Sequence, residues 1–298
     1  MKAVMPTNTL ADDYGMDKAI DLIADAGFDG IDFSDCYESS FVNFDGYIET
    51  AKTIRDRAEK RGIQFYQAHA PFVRKLLKQG DWGFAVERTR RSMETAAVLG
   101  ADTIVVHPFQ DGNYVADANL LYEKNMEFFK KLIPYCEEYN IKVAIENMTW
   151  ANSSGGKCDG VCAIPQEFER YIDDLNSKYI TGCLDFGHLT VCNREPQDVL
   201  RYLGGKRITC LHIHDNDYIS DRHALPCTMN MNWDEICKAI AEIGYNGHFT
   251  LEANCFFIRF NEDFLPIALK FAADMSHHLI KKIENYKSGV AKLTGGRI

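Results

Sequence analysis

Three stretches of this chain repeat one local pattern, a helix tail, a glycine and then a short apolar run: Ala26-Gly27-Phe28-Asp29-Gly30-Ile31-Asp32-Phe33, Leu99-Gly100-Ala101-Asp102-Thr103-Ile104-Val105-Val106, and Ile243-Gly244-Tyr245-Asn246-Gly247-His248-Phe249-Thr250-Leu251. The first glycine of each suits the left-handed position that ends a helix, and the run that follows reads as a strand buried in a parallel sheet. Continuing the count places strands near 2–6, 29–34, 63–68, 102–107, 142–147, 180–185, 208–213 and 248–252. Between them lie helical patterns near 17–26, 46–61, 83–99, 117–139, 165–175, 196–203, 232–243 and 262–284, with apolar residues three and four apart, as in Ala19, Ile20, Ile23 and Ala24. Strict alternation implies a parallel sheet, and eight units match barrel closure. The predicted fold is therefore an α/β protein, a single (β/α)8 TIM barrel over residues 1–298. An open doubly wound sheet is the alternative, but no Gly-x-Gly-x-x-Gly follows the first strand and nothing points to dinucleotide binding.

Composition agrees with a soluble globular chain, 46% apolar and 26% charged over 298 residues. The N-terminus carries one lysine and no signal-peptide core, and no run of ~20 apolar residues occurs, so a cytoplasmic protein with no membrane partner is expected. Ten cysteines are scattered through strands and helices, which fits reduced thiols. Cys158 and Cys162 form one close pair with no matching second pair, so no structural zinc is expected there. The net charge of −10 argues against general nucleic-acid binding. Asn152-Ser153-Ser154-Gly155-Gly156 falls inside one βα loop and reads as a solvated loop.

In such barrels the C-terminal strand ends build the active site. Here the third strand ends in His69-Ala70-Pro71, the fourth in His107-Pro108, the fifth in Glu146-Asn147 and the sixth in Asp185-Phe186-Gly187-His188. The seventh carries His212-Ile213-His214-Asp215 and the eighth Glu252. Acidic groups at buried strand ends are costly unless paired, and a divalent cation would remove that cost. His69 or His107 taken alone reads as a hydrogen-bonded loop histidine. Glu146, Asp185, His212 and Glu252, however, come from four successive strands and can converge on one point. Three carboxylates and one imidazole make a largely oxygen-donor site suited to manganese, magnesium, cobalt or zinc. Alternation places His212 and His214 on the same face, so geometry does not choose between them. His248, His277 and His278 are assigned no chemistry.

These motifs, together with Ala26-Gly27-Phe28-Asp29-Gly30-Ile31-Asp32 and Asp221-Arg222-His223, resemble in their order the sugar isomerase/epimerase branch of the xylose-isomerase-like barrel superfamily, which also contains endonuclease IV. The resemblance spans essentially the whole chain. It implies His212, three residues before Asp215, as the seventh-strand metal ligand. It also implies Glu146 and Glu252 as both metal ligands and the acid/base pair, acting on a carbon next to a sugar carbonyl. His188 resembles the family's substrate-oxygen contact, with His69, His107 and His223 as further substrate-binding candidates. The implied partner is a small sugar or sugar phosphate, with a homo-oligomer allowed. One departure stands out: the epimerases carry an arginine shortly after the acidic residue of strand seven, where this chain has Asp217-Tyr218-Ile219 and then Arg222.

The endonuclease resemblance also extends position by position to His69, His107, Glu146, Asp185, His188, His212, Asp221, His223 and Glu252, which implies phosphodiester hydrolysis with two or three metals. Against it, the Gly-rich segment expected after the strand-five Glu-Asn is replaced by Met148-Thr149-Trp150-Ala151-Asn152. A dehydratase or lyase would use the same enediolate chemistry. A non-catalytic binding barrel would leave the four ligands idle. No Gly-rich loop with a nearby Lys identifies a phosphate site.

Overall fold

A computed structural model describes residues 1–36, 40–111, 114–151 and 157–289. Eight parallel strands close into a barrel: Ala3–Pro6, Gly30–Ser34, Gln64–His69, Thr103–Val106, Lys142–Glu146, Ile180–Asp185, Ile208–Ile213 and Phe249–Leu251. Closure is made by the first strand pairing with the last, Ala3 opposite Phe249 and Val4 opposite Thr250. The strands are short and buried on both faces, which is why they read as apolar runs rather than as alternating patterns. Inside the barrel, Val105, Ala144, Cys183 and Cys210 form a packed cluster from strands four to seven. Such small side chains fill the interior and leave the wider mouth for polar groups.

The helices pack outside the barrel by their apolar stripes. In Met16–Ala26 the buried residues are Ala19, Ile20, Leu22, Ile23 and Ala26, and Gly27 ends the helix at φ 89°. Gly100, at φ 101°, ends Trp82–Leu99 in the same left-handed way. Helices Pro165–Leu175 and Pro196–Leu203 begin with proline, whose missing N–H costs nothing in the first turn.

The sequence does not predict four short helices, Asn8–Tyr14, Val73–Gln79, Phe186–Val191 and Asn254–Phe257, or the antiparallel pair Thr149–Ala151 and Lys157–Asp159. All of these lie in loops that follow barrel strands. Gln110 fixes the antiparallel pair from below, donating to the Thr149 carbonyl at 2.9 Å and accepting from the Val161 amide at 3.0 Å. The stretch from Asn152 to Gly156 lies outside the described residues. All ten cysteines are free thiols. No described helix is long and apolar enough to cross a membrane.

The loop after the second strand is anchored by a buried ion pair. Arg88, from helix Trp82–Leu99, grips Asp35 through both Nη atoms, at 2.9 and 3.0 Å, and Ser92 donates to the same carboxylate. Arg88 and Asp35 are 5% and 0% exposed, so each is the other's main electrostatic partner.

Candidate metal centre and active site

The eight residues singled out in the sequence converge at the C-terminal mouth. Glu146 and Asp185 end their strands, His212 is one residue from the end of its own, and Glu252 follows the last strand directly. His212 Nδ1 lies 3.1 Å from Glu252 Oε2, 3.5 Å from Glu146 Oε2 and 3.9 Å from Asp185 Oδ2. The Glu146 carboxylate is shared, with Oε2 at 3.0 Å from His107 Nε2 and 3.4 Å from His69 Nε2, and Oε1 at 3.4 Å from His188 Nδ1. On the far side, Asp221 Oδ2 lies 3.4 Å from His188 Nε2 and 3.2 Å from His223 Nε2.

Local structure sets each position. Asn147 clamps strand five to strand six, accepting from the Asp185 amide at 2.7 Å and donating to the Asp185 carbonyl at 3.1 Å. That fixes the spacing of the two adjacent carboxylates. Asp185 then caps the helix Phe186–Val191 by accepting from the His188 amide, which folds His188 back over the mouth. Fully buried Asp215 accepts from the Met229 and Met231 amides and from Trp233 Nε1, and its backbone pairs with Ala224. The loop bearing Asp221 and His223 is thereby tied down.

Ring tautomers follow from these bonds, because a carbonyl can only accept. His69 Nδ1 meets the Ala70 carbonyl at 2.7 Å, His188 Nδ1 the Asn147 carbonyl at 2.8 Å, and His223 Nδ1 the Glu252 carbonyl at 2.9 Å. In each neutral ring the proton sits on Nδ1 and the Nε2 lone pair faces the site. His69 Nε2 stands within hydrogen-bond reach of His107 Nε2 at 3.1 Å, with the Glu146 carboxylate beyond it, while His188 and His223 turn Nε2 to Asp221. Positive charge, on the rings themselves or on a bound cation, balances the carboxylates in so buried a space.

Two atoms at the centre sharpen the test for a metal. Glu146 Oε2 and His212 Nδ1 are buried, in residues only 1% exposed, and their close contacts with His107 and Glu252 lack hydrogen-bond geometry. Three overlapping sets of three ligand atoms each lie within 4.8 Å of one another, His69, Glu146 and His212; Glu146, Asp185 and His188; and Asp185, His212 and Glu252; a fourth, separate set is His214, Asp221 and His223. Oxygen and nitrogen donors at this spacing suit manganese, zinc, cobalt or magnesium. The residues present therefore fit a divalent cation.

The carboxylates and burial together set the charge of the neighbouring rings. Burial disfavours charge on His212, but the Glu252 and Glu146 carboxylates outweigh it and hold the ring well above its ordinary value. For His188, burial is likewise outweighed by Asp185 and Asp221, and the ring is carried to about 10. Burial dominates at His107, which is lowered despite Glu146. Burial would raise Glu146 and Glu252, yet the neighbouring imidazoles hold both below the usual carboxylate range.

His214, left level with His212 by alternation, has a different place. It lies just beyond its strand, fully buried, with Nε2 at 3.2 Å from Asp185 Oδ1 and its ring stacked on His223 at 4.2 Å. It orients a carboxylate rather than facing the mouth. Gly187 makes room for it, since a Cβ there would stand 1.9 Å from His214 Cε1. Gly187→Ala is accordingly expected to displace His214 and loosen Asp185, lowering metal affinity by about 10- to 100-fold. Titration against a chromogenic chelator measures it, and unchanged affinity in a folded variant removes His214 from any supporting role.

Sequence reasoning also missed Gln67, whose role is visible only from cross-barrel packing. Its Oε1 accepts from Thr250 at 3.1 Å, while its Nε2 lies 2.9 Å from Asp32 Oδ2 and 3.3 Å from His212 Nε2. Arg222, the candidate replacement for the displaced arginine, pairs with Asp217 at 2.7 Å and is half exposed. A cavity of about 280 Å³ opens above the cluster, bounded by Asp32, His69, His107, Glu146, His188, Asp221, His223 and Glu252 and by neutral residues of the first, second and last units.

A closed parallel barrel with acidic and imidazole side chains gathered at its C-terminal mouth defines a (β/α)8 protein whose strand ends carry groups able to hold a cation. The family model of xylose isomerase-like TIM barrels matches residues 20–263, and the chain belongs to that family. Among its relatives, the uncharacterized protein y4fM of Sinorhizobium fredii is 29% identical over 272 residues, covering 83% of this chain and 84% of that protein. In fold, the chain is similar to a D-tagatose 3-epimerase-like protein, with TM-score 0.73 and 22% identity, covering 98% of this chain and 100% of that one. It is also similar to the IolI protein with a binding zinc atom, with TM-score 0.69 and 16% identity, covering 96% and 99%.

Proposed function

We propose that this protein is a divalent-metal-dependent isomerase or epimerase that moves a proton next to the carbonyl of a small sugar. The observation that carries the reading is the convergence of Glu146 Oε2 and His212 Nδ1, buried at 3.5 Å from each other with Asp185 and Glu252 beside them. The D-tagatose 3-epimerase-like protein among the similar folds and the zinc described for IolI support it. A cation held by Glu146, Asp185, His212 and Glu252 would polarise a carbonyl and its neighbouring hydroxyl and stabilise the negative charge that develops as the intervening proton leaves.

The protein's own groups divide the remaining work. Glu146 ends strand five and Glu252 follows strand eight, and both carboxylates meet at His212, where they would border the same reacting carbon. One removes the C–H proton as a base. Return of a proton by the other, on the opposite face, inverts that carbon, whereas return at the adjacent carbon moves the carbonyl. His188, locked by the Asn147 carbonyl, presents Nε2 to a substrate oxygen. His69, His107 and His223 line the same cavity as further substrate contacts.

Two measurements test this reading. After reconstitution, elemental analysis is expected to find about one divalent ion per chain, lost together with activity on chelation. In deuterated water, a ketose that is a substrate is expected to gain deuterium beside its carbonyl and yield an isomer or epimer. A chain that never retains metal, or that exchanges no sugar proton, ends the proposal.

A second reading has its own observation. The inward-facing Nε2 atoms of His69 and His107 around Glu146, and of His188 and His223 around Asp221, would suit two more metal positions beside the first. A stable count near three ions, with cleavage of abasic-site DNA and no sugar exchange, would favour a phosphodiester hydrolase of the endonuclease IV type.

A further inference from the structure

The end of the barrel opposite the ligand cluster carries a cavity of its own, about 560 Å³ in volume, for which the sugar chemistry has no use. It opens where strands five, six and seven begin. Lys142 is the first residue of strand five, while Lys178 and the pair Lys206-Arg207 stand in the turns that lead into strands six and seven. Glu146 is the last residue of the strand that Lys142 starts, so about 13 Å of extended chain separates this cavity from the mouth.

Four cationic side chains and one carboxylate line the space, in a chain whose net charge is −10. Arg207 is already committed, gripping Asp173 through Nε and Nη2 at 3.0 and 2.8 Å and reaching Glu169 at 3.0 Å. That occupies the one carboxylate of the lining. Lys142, Lys178 and Lys206 are exposed, and none of them has an acidic partner among the described residues. Lys178 Nζ rests over the Tyr179 ring at 4.8 Å, which steadies the ammonium without neutralising it. Uncompensated like charges around one space repel one another, and an anion among them relieves the repulsion. Thr209, also in the lining, keeps a buried Oγ1 that has no hydrogen-bond partner. The groove beside Arg55 at the same end of the barrel differs, because its arginine is paired with Asp56 and Glu59 and its charge cancels.

We infer that this cavity binds a small phosphorylated anion, of the size and charge of a nucleoside or sugar diphosphate, at a site separate from the metal centre. A surplus of cations over carboxylates suits two phosphate groups better than one, since a single phosphate ester carries about −1.5 to −2. Each ammonium donates in three directions and so meets the several oxygens of such a group. Ile172 and Ile180 add an apolar wall, and Asn176 and Ser177 add neutral polar groups for the rest of the molecule. The volume falls within the roughly 300–1,000 Å³ of small-molecule sites.

Isothermal titration calorimetry of the metal-loaded protein with ADP and with inorganic pyrophosphate tests the site. Saturable binding that weakens as salt is raised is expected for both probes, because the lysines are open to solvent. Lys178→Glu and Lys206→Glu are each expected to weaken it at least about 10-fold, the scale of one charge-assisted hydrogen bond, with metal content and melting temperature unchanged. Lys206→Ala, which adds no new charge, is expected to act in the same direction by a smaller factor. No saturable heat from either probe at about 1 mM overturns the inference. Binding that both charge-reversed variants keep at full strength also overturns it, since the anion then sits on the metal at the other end. Single-stranded RNA held more tightly than ADP, and released by the same variants, overturns it in favour of a nucleic-acid surface.

Discussion

Glu252→Gln, assayed at saturating metal, is expected to lose at least about 100-fold in turnover, the lower part of the range that a positioned acid or base supplies. The amide keeps a carbonyl oxygen for a cation but is a far poorer base than a carboxylate. Glu252 is suited to proton transfer because its side chain remains partly open to the cavity, at 18% exposure, while Oε2 sits 3.1 Å from His212 Nδ1. Glu146→Gln is expected to lose turnover similarly and to bind metal more weakly, because its carboxylate meets His69, His107, His188 and His212 together. Exchange rates measured across a metal titration separate the two effects. A fully metallated variant with near-wild-type exchange would mean that the residue is a ligand only.

Arg88→Met is expected to destabilise the protein by about 3–5 kcal/mol, because it leaves the fully buried Asp35 carboxylate without its cation. Urea denaturation measures this as a lower midpoint. The double variant Asp35→Asn/Arg88→Met is expected to recover much of the loss, since removing both charges removes the uncompensated one. Because Asp35 lies between Ser34 and Cys36, both of which line the cavity, the single variant is also expected to raise KM. Equal midpoints for the wild type and Arg88→Met would show that the pair contributes no net stability.

The barrel was legible in the sequence because its signals are local. Gly27 and Gly100 end helices where a left-handed residue is required, and Pro165 and Pro196 start helices where a missing N–H is harmless. The convergence of Glu146, Asp185, His212 and Glu252 followed from strand order, since each stands at the end of a successive strand. The pair Thr149–Ala151 and Lys157–Asp159 was missed because three-residue strands show no period, and Gln110 holds them from 39 residues away. The helix Phe186–Val191 was hidden because its cap, Asp185, is also a strand end with a ligand-type side chain. Alternation alone could not part His212 from His214, because their difference lies in what faces them: the Glu252 and Glu146 carboxylates in one case and the Asp185 carboxylate in the other.

The carbonyls of Ala70, Asn147 and Glu252 that orient His69, His188 and His223 have a consequence for descent. These rings are keyed to main-chain oxygens, which every amino acid possesses, so substitution at the supporting positions does not remove the acceptor. The inward geometry of the imidazoles is thus insulated from mutational drift as long as the strand ends keep their course. Neutral side chains that line the cavity, such as Asn8 and Ser34, have no such protection and can be exchanged one at a time. A barrel of this construction can change what it recognises faster than it changes how it reacts, and new specificities can arise by point mutation around an inherited reactive centre.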